Sequence, residues 1–74
     1  MDGNKYSLEF ILVAQSVSER EIADSLVDIS DKAEVSVCAE GEFKVCVLAE
    51  DPTLVFDVCA QFGRIKSAKI DEVS

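Results

Sequence analysis

Seventy-four residues leave room for one domain, residues 1–74, whose ordered part is predicted over about 5–71. A formal net charge of −8, from fifteen acids against seven bases, repels phosphate backbones and counts against nucleic-acid binding. Histidine is absent, which removes the usual neutral-pH base and the commonest transition-metal ligand, while a hydrophobic share of 49% excludes a disordered chain.

The stretch Lys5 to Ala14, KYSLEFILVA, is rich in β-formers and alternates at its start, so it reads as a strand. Leu8, Phe10 and Leu12 fall on one face, and Glu9, Ile11 and Val13 on the other. Phe10 to Ala14 is too short an apolar run for a membrane helix or signal segment, so the expectation is a cytoplasmic protein with no membrane partner. The period then changes to helical in VSEREIADSLVDIS. Ser18 and Glu21 have capping-box spacing, and Val17 with Ile22 has staple spacing. Ile22, Ala23, Leu26, Val27 and Ile29 form the predicted buried stripe of a helix ending near residues 30–32.

SVCAEGEFKVCV, residues 36–47, follows as a hairpin with a cysteine in each arm. Val35, Val37 and Ala39 alternate on one arm, and Phe43, Val45 and Val47 on the other. Pairing Val37 with Val45 puts them on one side of the sheet, with Glu40 to Glu42 as the turn. In the next segment Asp51 is an N-cap, Pro52 the first helical residue and Gly63 the C-terminal stop. Leu54, Val55, Val58, Cys59 and Phe62 form this helix's stripe. RIKSAKI closes the chain as a strand with Ala68 and Ile70 pointing inward.

Two split strand–helix–strand units with right-handed crossovers predict an α+β, ferredoxin-like βαββαβ sandwich. Its antiparallel sheet has the order 4-1-3-2, with both helices on one face. The other face is then uncovered. The alternation assigns it Glu9, Ile11 and Val13, Ser36 and Cys38, Lys44, Cys46 and Leu48, and Ile65 with Ser67 and Lys69. Ile11, Val13, Cys46 and Leu48 make its central strands apolar, and Glu9 with Lys69 gives a charged rim near one end. A solvated face would turn polar at its centre; an apolar one predicts an interface.

Cys38 and Cys46 lie on that face and Cys59 in the core, so all three read as small hydrophobes. Metal ligation lacks CxxC spacing and histidine. The predicted register makes Cys38 and Cys46 diagonal neighbours, too distant for a disulfide. Thiol catalysis would have only Lys44 as an activating neighbour, and it stays open as a test by alkylation. There is no glycine-rich phosphate loop and no calcium-loop pattern, so neither cofactor nor metal is expected. The predicted face also carries none of the aromatic side chains with which such sheets stack RNA bases.

The order of elements, with the run GEFKVCVLAEDPTLVFDVCAQFGRIKSAKI, resembles two groups of small regulatory domains. These are the ACT domain of amino-acid metabolism and the ligand-sensing half of the Lrp/AsnC regulators. Gly41 and Phe43 stand roughly where the latter begin their third strand with glycine and an aromatic. AQSVSE occupies the first strand–helix turn, where ACT domains have a glycine, and the DNA-binding helices of the Lrp type are absent from the sequence. The resemblance implies a non-enzymatic regulatory domain that pairs through sheet faces or edges. A small-molecule effector would bind near Gln15, Ser16 and Ser18, residues that can equally serve the turn and helix cap. The partner is a second copy of the chain or, alternatively, a different protein bound by the same face or by the acidic helices.

Overall fold

β-forming residues, alternating with polar ones at the start of the stretch, draw Tyr6–Ala14 into β1, where Leu8, Phe10, Leu12 and Ala14 are buried and the residues between them are not. The computed structural model describes residues 4–73. After β1 come α1 (Glu19–Leu26), β2 (Lys32–Ala39), β3 (Glu42–Ala49), α2 (Pro52–Ala60) and β4 (Gly63–Glu72). The strands pair antiparallel in the order β2-β3-β1-β4, which is the predicted 4-1-3-2 read from the opposite edge. Ile22 and Leu26 of α1, with Val55 and Cys59 of α2, join the buried strand residues in one core. This is the ferredoxin-like sandwich.

Local chemistry sets the helix starts. The Glu21 N–H donates to Ser18 Oγ at 3.2 Å and the Ser18 N–H to Glu21 Oε1 at 3.0 Å, completing the capping box. Val17 is half-buried against the core. Leu54 N–H donates to Asp51 Oδ1 at 3.2 Å, and Pro52 needs no such partner.

The helix ends differ from expectation. α1 stops at Leu26, because the Ile29 N–H and the Ser30 hydroxyl both bond back to the Leu26 carbonyl and turn the chain there. Val27 is therefore 66% exposed rather than part of the buried stripe. On α2, Leu54 is 41% exposed, and Phe56 turns inward instead, its ring centroid 5.2 Å from that of Phe10. Gly63 opens β4 and does not cap α2 in a left-handed turn. A Cβ there would lie 2.0 Å from the Val13 carbonyl oxygen, so the close approach of β4 to β1 requires glycine.

Two bulges correct the predicted sheet. Glu40 and Gly41 alone form the hairpin turn, with Gly41 at φ 74°, and Val35 pairs with Val45 and Val37 with Phe43. The register is thus moved by two residues from Val37 opposite Val45, which keeps Val35 and Val37 on their predicted side, although Val37 is 59% exposed there. Ala39, predicted beside them, instead pairs with Glu42 and shares the open face. An irregularity between Val37 and Ala39 absorbs Cys38. In β4, a bulge between the Glu9–Lys69 and Ile11–Lys66 pairs leaves Ser67 at φ 56° and reverses the phase of the strand. Ile65, predicted on the open face, instead lies opposite Leu12 and packs against the core. Ile70, opposite Leu8, is on the helix side but 51% exposed, and Ala68 is exposed as well.

Candidate functional site: the open face of the sheet

No described element covers the side of the sheet opposite the helices. The pairing arranges its side chains in four tiers running across the strands. Val13 lies between Glu42 on β3 and Arg64 on β4. Ile11 lies between Lys44 and Lys66, with Ser36 beyond on β2. Glu9 lies between Cys46 and Lys69, with Glu34 beyond. Ser7 lies between Leu48 and Asp71, with Lys32 beyond.

Ile11, Val13, Cys46 and Leu48 therefore share one face on the two central strands, as predicted, with Val13 and Leu48 in the end tiers, and all four are half-buried. They do not form a continuous apolar patch, because charged neighbours alternate with them. Lys44 Nζ reaches diagonally to Glu9 Oε2 at 3.0 Å, and Lys66 Nζ to Glu42 Oε2 at 3.3 Å. Lys32 Nζ lies 3.8 Å from Glu34 Oε2 along β2. The bond from Lys44 holds the Glu9 carboxyl below its ordinary pKa, and Lys69 adds to the effect. The same bond raises Lys44, with smaller contributions from Cys46 and Cys38. The long stems of Lys44 and Lys66 partly cover the aliphatic centre while their ammonium groups stay at the surface.

Cys38 is exposed at one corner of β2, where its Sγ–H donates weakly to the Glu42 carbonyl at 3.6 Å. Cys46 pairs with Glu34, further from Cys38 than the diagonal expected from sequence. All three cysteines are free thiols. Burial pushes the Cys59 thiol up to about 11. Among the described residues no group of three or more His, Cys, Asp or Glu could hold a metal ion, and no helix is long and apolar enough to cross a membrane.

Charge is segregated between the two sides of the molecule. Lys32, Lys44, Arg64, Lys66 and Lys69 lie on the open face against Glu9, Glu34, Glu42 and Asp71. The helices and their flanks carry Glu19, Glu21, Asp24, Asp28, Asp51 and Asp57, with Arg20 as the one base among them. The net charge of the whole chain conceals this. Sequence reasoning missed Lys66 and the clustering of bases on β4, because strict alternation cannot keep Lys66 and Lys69 on one face without the bulge at Ser67.

A second region lies at the end of the sheet. An open cleft of about 390 Å³ separates the β1–α1 turn from the β2–β3 turn and is lined by Gln15, Ser16, Val17, Glu40, Gly41 and Phe43, with Ala14 at its base. Two of the three predicted ligand residues, Gln15 and Ser16, line it. Ser18 does not, its hydroxyl being engaged in the helix cap. Ser16 has a left-handed backbone, φ 62°, which turns the chain from β1 towards α1. The Ala14 N–H donates to the Gly41 carbonyl at 2.9 Å, tying the two turns together beneath the cleft.

Set against known families, curated proteins and solved structures, the chain matches no family model, no curated protein and no solved structure.

Proposed function

We propose that this chain is a non-enzymatic regulatory or binding domain that self-associates through the open face of its sheet. The single observation behind this reading is a four-stranded face whose half-buried aliphatic centre is framed by ion pairs made within the chain. Such charges enter an interface already partnered, which lowers the cost of removing them from water. The thin core of a domain this small gains from covering that centre. The cleft at the β1–α1 turn offers an amide, a hydroxyl and the Glu40 carboxylate to a small metabolite with a polar or cationic group. Its position agrees with the site implied by the resemblance to ACT and Lrp/AsnC-type domains.

Sedimentation equilibrium of the reduced protein over a wide concentration range tests the reading. Wild type should form a dimer, and Leu48→Glu should be monomeric with an unchanged circular-dichroism spectrum. A wild-type monomer at millimolar concentration would refute self-association. It would favour the second reading, an adaptor that engages a different protein. The specific feature behind that alternative is the acidic helical layer, which would steer a basic partner. Thiol catalysis has less support, since Cys38 is exposed with a carbonyl as its one hydrogen-bond partner and Lys44 is engaged by Glu9.

A further inference from the structure

Resting on the reading that the open face self-associates, we infer that the two copies stack face to face about a two-fold axis parallel to the strands, selected by the charge pattern of that face. The tiers described above decide between the two ways of stacking such a sheet on its own copy. A two-fold along the strands keeps each tier level and exchanges the edges, so β4 of one copy lies over β2 of the other. Lys69 then faces Glu34 of the second copy, and Asp71 faces Lys32, each contact occurring twice.

At the centre, β1 of each copy lies over β3 of the other. The two Glu9–Lys44 pairs meet across the axis and close into a ring in which each carboxylate lies between two ammonium groups. Each copy's Ile11 then packs against the stem of the second copy's Lys44, Leu48 covers Ser7, and Val13 lies over the stem of Glu42, whose carboxylate is held by Lys66. A two-fold lying across the strands instead stacks β4 on β4 with its direction reversed. Lys66 then meets Lys69 twice while Arg64 meets Asp71 twice, so repulsive edge contacts offset the attractive ones. The axis along the strands brings only opposite charges together at the edges. The Glu9–Lys44 pairs lie over Ile11 and Cys46 either way and do not discriminate. Like charges disfavour that arrangement.

The dimensions allow the favoured one. Facing sheets pack about 10 Å apart and neighbouring strands about 4.8 Å, so Lys and Glu side chains extending from opposed sheets meet near the mid-plane. An aligned packing angle of about 30° moves the outer strands by roughly 3–4 Å along their length, within the compass of a lysine stem. Glu34 and Lys69 lie on opposite edges of their own sheet, with β3 and β1 between them, so no contact within one chain can mimic this pairing.

The test uses charge reversal in the full-length protein, with association measured by sedimentation and mixed dimers by native mass spectrometry. Lys69→Glu and Glu34→Lys, each alone, should weaken self-association about tenfold, since each dimer then opposes two like-charged pairs. Mixing the two variants should restore affinity to within about threefold of wild type and yield predominantly mixed dimers. Asp71→Lys with Lys32→Asp supplies an independent second pair should either first variant fold poorly.

A wild-type dimer unaffected by the single reversals, or one whose variants fail to recover on mixing, would overturn the orientation while leaving self-association intact. Tightening by Lys69→Glu would do so too and would indicate the axis across the strands. A wild type that stays monomeric would instead overturn the underlying reading of the face, and the orientation with it.

Discussion

The two faces of the sheet are built from the same strands yet differ in what completes them. On the helix side Leu8, Phe10, Leu12, Val45 and their neighbours are sealed by Ile22, Leu26, Val55 and Cys59, with no polar or charged residue buried among the described residues. On the open side Ile11, Val13, Cys46 and Leu48 are only half-covered, and Lys44, Lys66, Glu9 and Glu42 stand among them as ion pairs. The first face holds the fold together. The second contributes little to the stability of one chain, and its charges make it selective about what it touches. Residues one position apart on β1 should therefore behave as though they belonged to different proteins.

The largest expected effect separates those neighbours. Phe10→Ala removes a buried ring and its contact with Phe56, at a cost of about 3–5 kcal/mol, enough to unfold most of a domain this small. Ile11→Ala, measured in the same denaturant titration of the dilute protein, should cost about 1 kcal/mol or less. Equal costs would erase the distinction between the faces. Gly63→Ala comes next. Its methyl group would collide with the Val13 carbonyl, and prising β4 from β1 should cost about 2 kcal/mol or more.

The thiols report the same division chemically. With its pKa pushed from 9.0 to about 11, Cys59 holds about a hundredfold less thiolate at neutral pH, quite apart from its inaccessibility. Because folding disfavours its thiolate, stability falls as pH rises above 9. Alkylation of the native protein should label Cys38 readily, Cys46 more slowly and Cys59 only on unfolding. Protection of Cys46 that grows with protein concentration would sharpen the comparison.

Smaller effects belong to the edges of both faces. Ser16→Gly relieves a left-handed backbone and should raise stability by a few tenths to about 1 kcal/mol, after subtracting the added freedom of the unfolded chain. A loss of stability there would mean that the Ser16 hydroxyl holds the cleft together. Smallest is the pH dependence of Glu9, whose carboxyl Lys44 holds below 4.5. The stabilisation it contributes is present above 4.5 and is lost as pH falls through its own lower pKa. NMR titration should return Glu9 towards 4.5 in Lys44→Met.

Much of the fold was legible in the sequence because its signals are local. Ser18 with Glu21 three residues on, and Asp51 with Pro52 directly after it, announce helix starts through groups within one turn of each other. Alternation from Leu8 to Val13 assigned the faces of β1 correctly, and with them Ile11 and Val13. What could not be read were the places where one residue breaks the count. The irregularity at Cys38 moved the hairpin register, and the bulge at Ser67 sent Ile65 to the core and Lys66 to the open face. Neither serine nor cysteine announces a bulge as glycine can, so strict alternation was the natural and mistaken continuation. Phe56 was not legible for another reason: the predicted stripe runs through Leu54, and nothing local to the helix announces that Phe56, two residues on, finds an aromatic partner in Phe10 across the core. Of the candidate site, the aliphatic centre was visible in sequence. Glu9, Lys44 and Lys69 were visible there too, whereas Arg64 and Lys66 reach that face only through the bulge and were not.

The most direct measurement follows the methyl and amide NMR signals of the reduced protein on serial dilution. Shifts confined to Ile11, Val13, Leu48 and their open-face neighbours, with Ile22, Val27 and Leu54 unmoved, are the predicted result. Signals that do not change with concentration, or that change on the helical side or along a sheet edge, would contradict the assignment of the open face as the working surface.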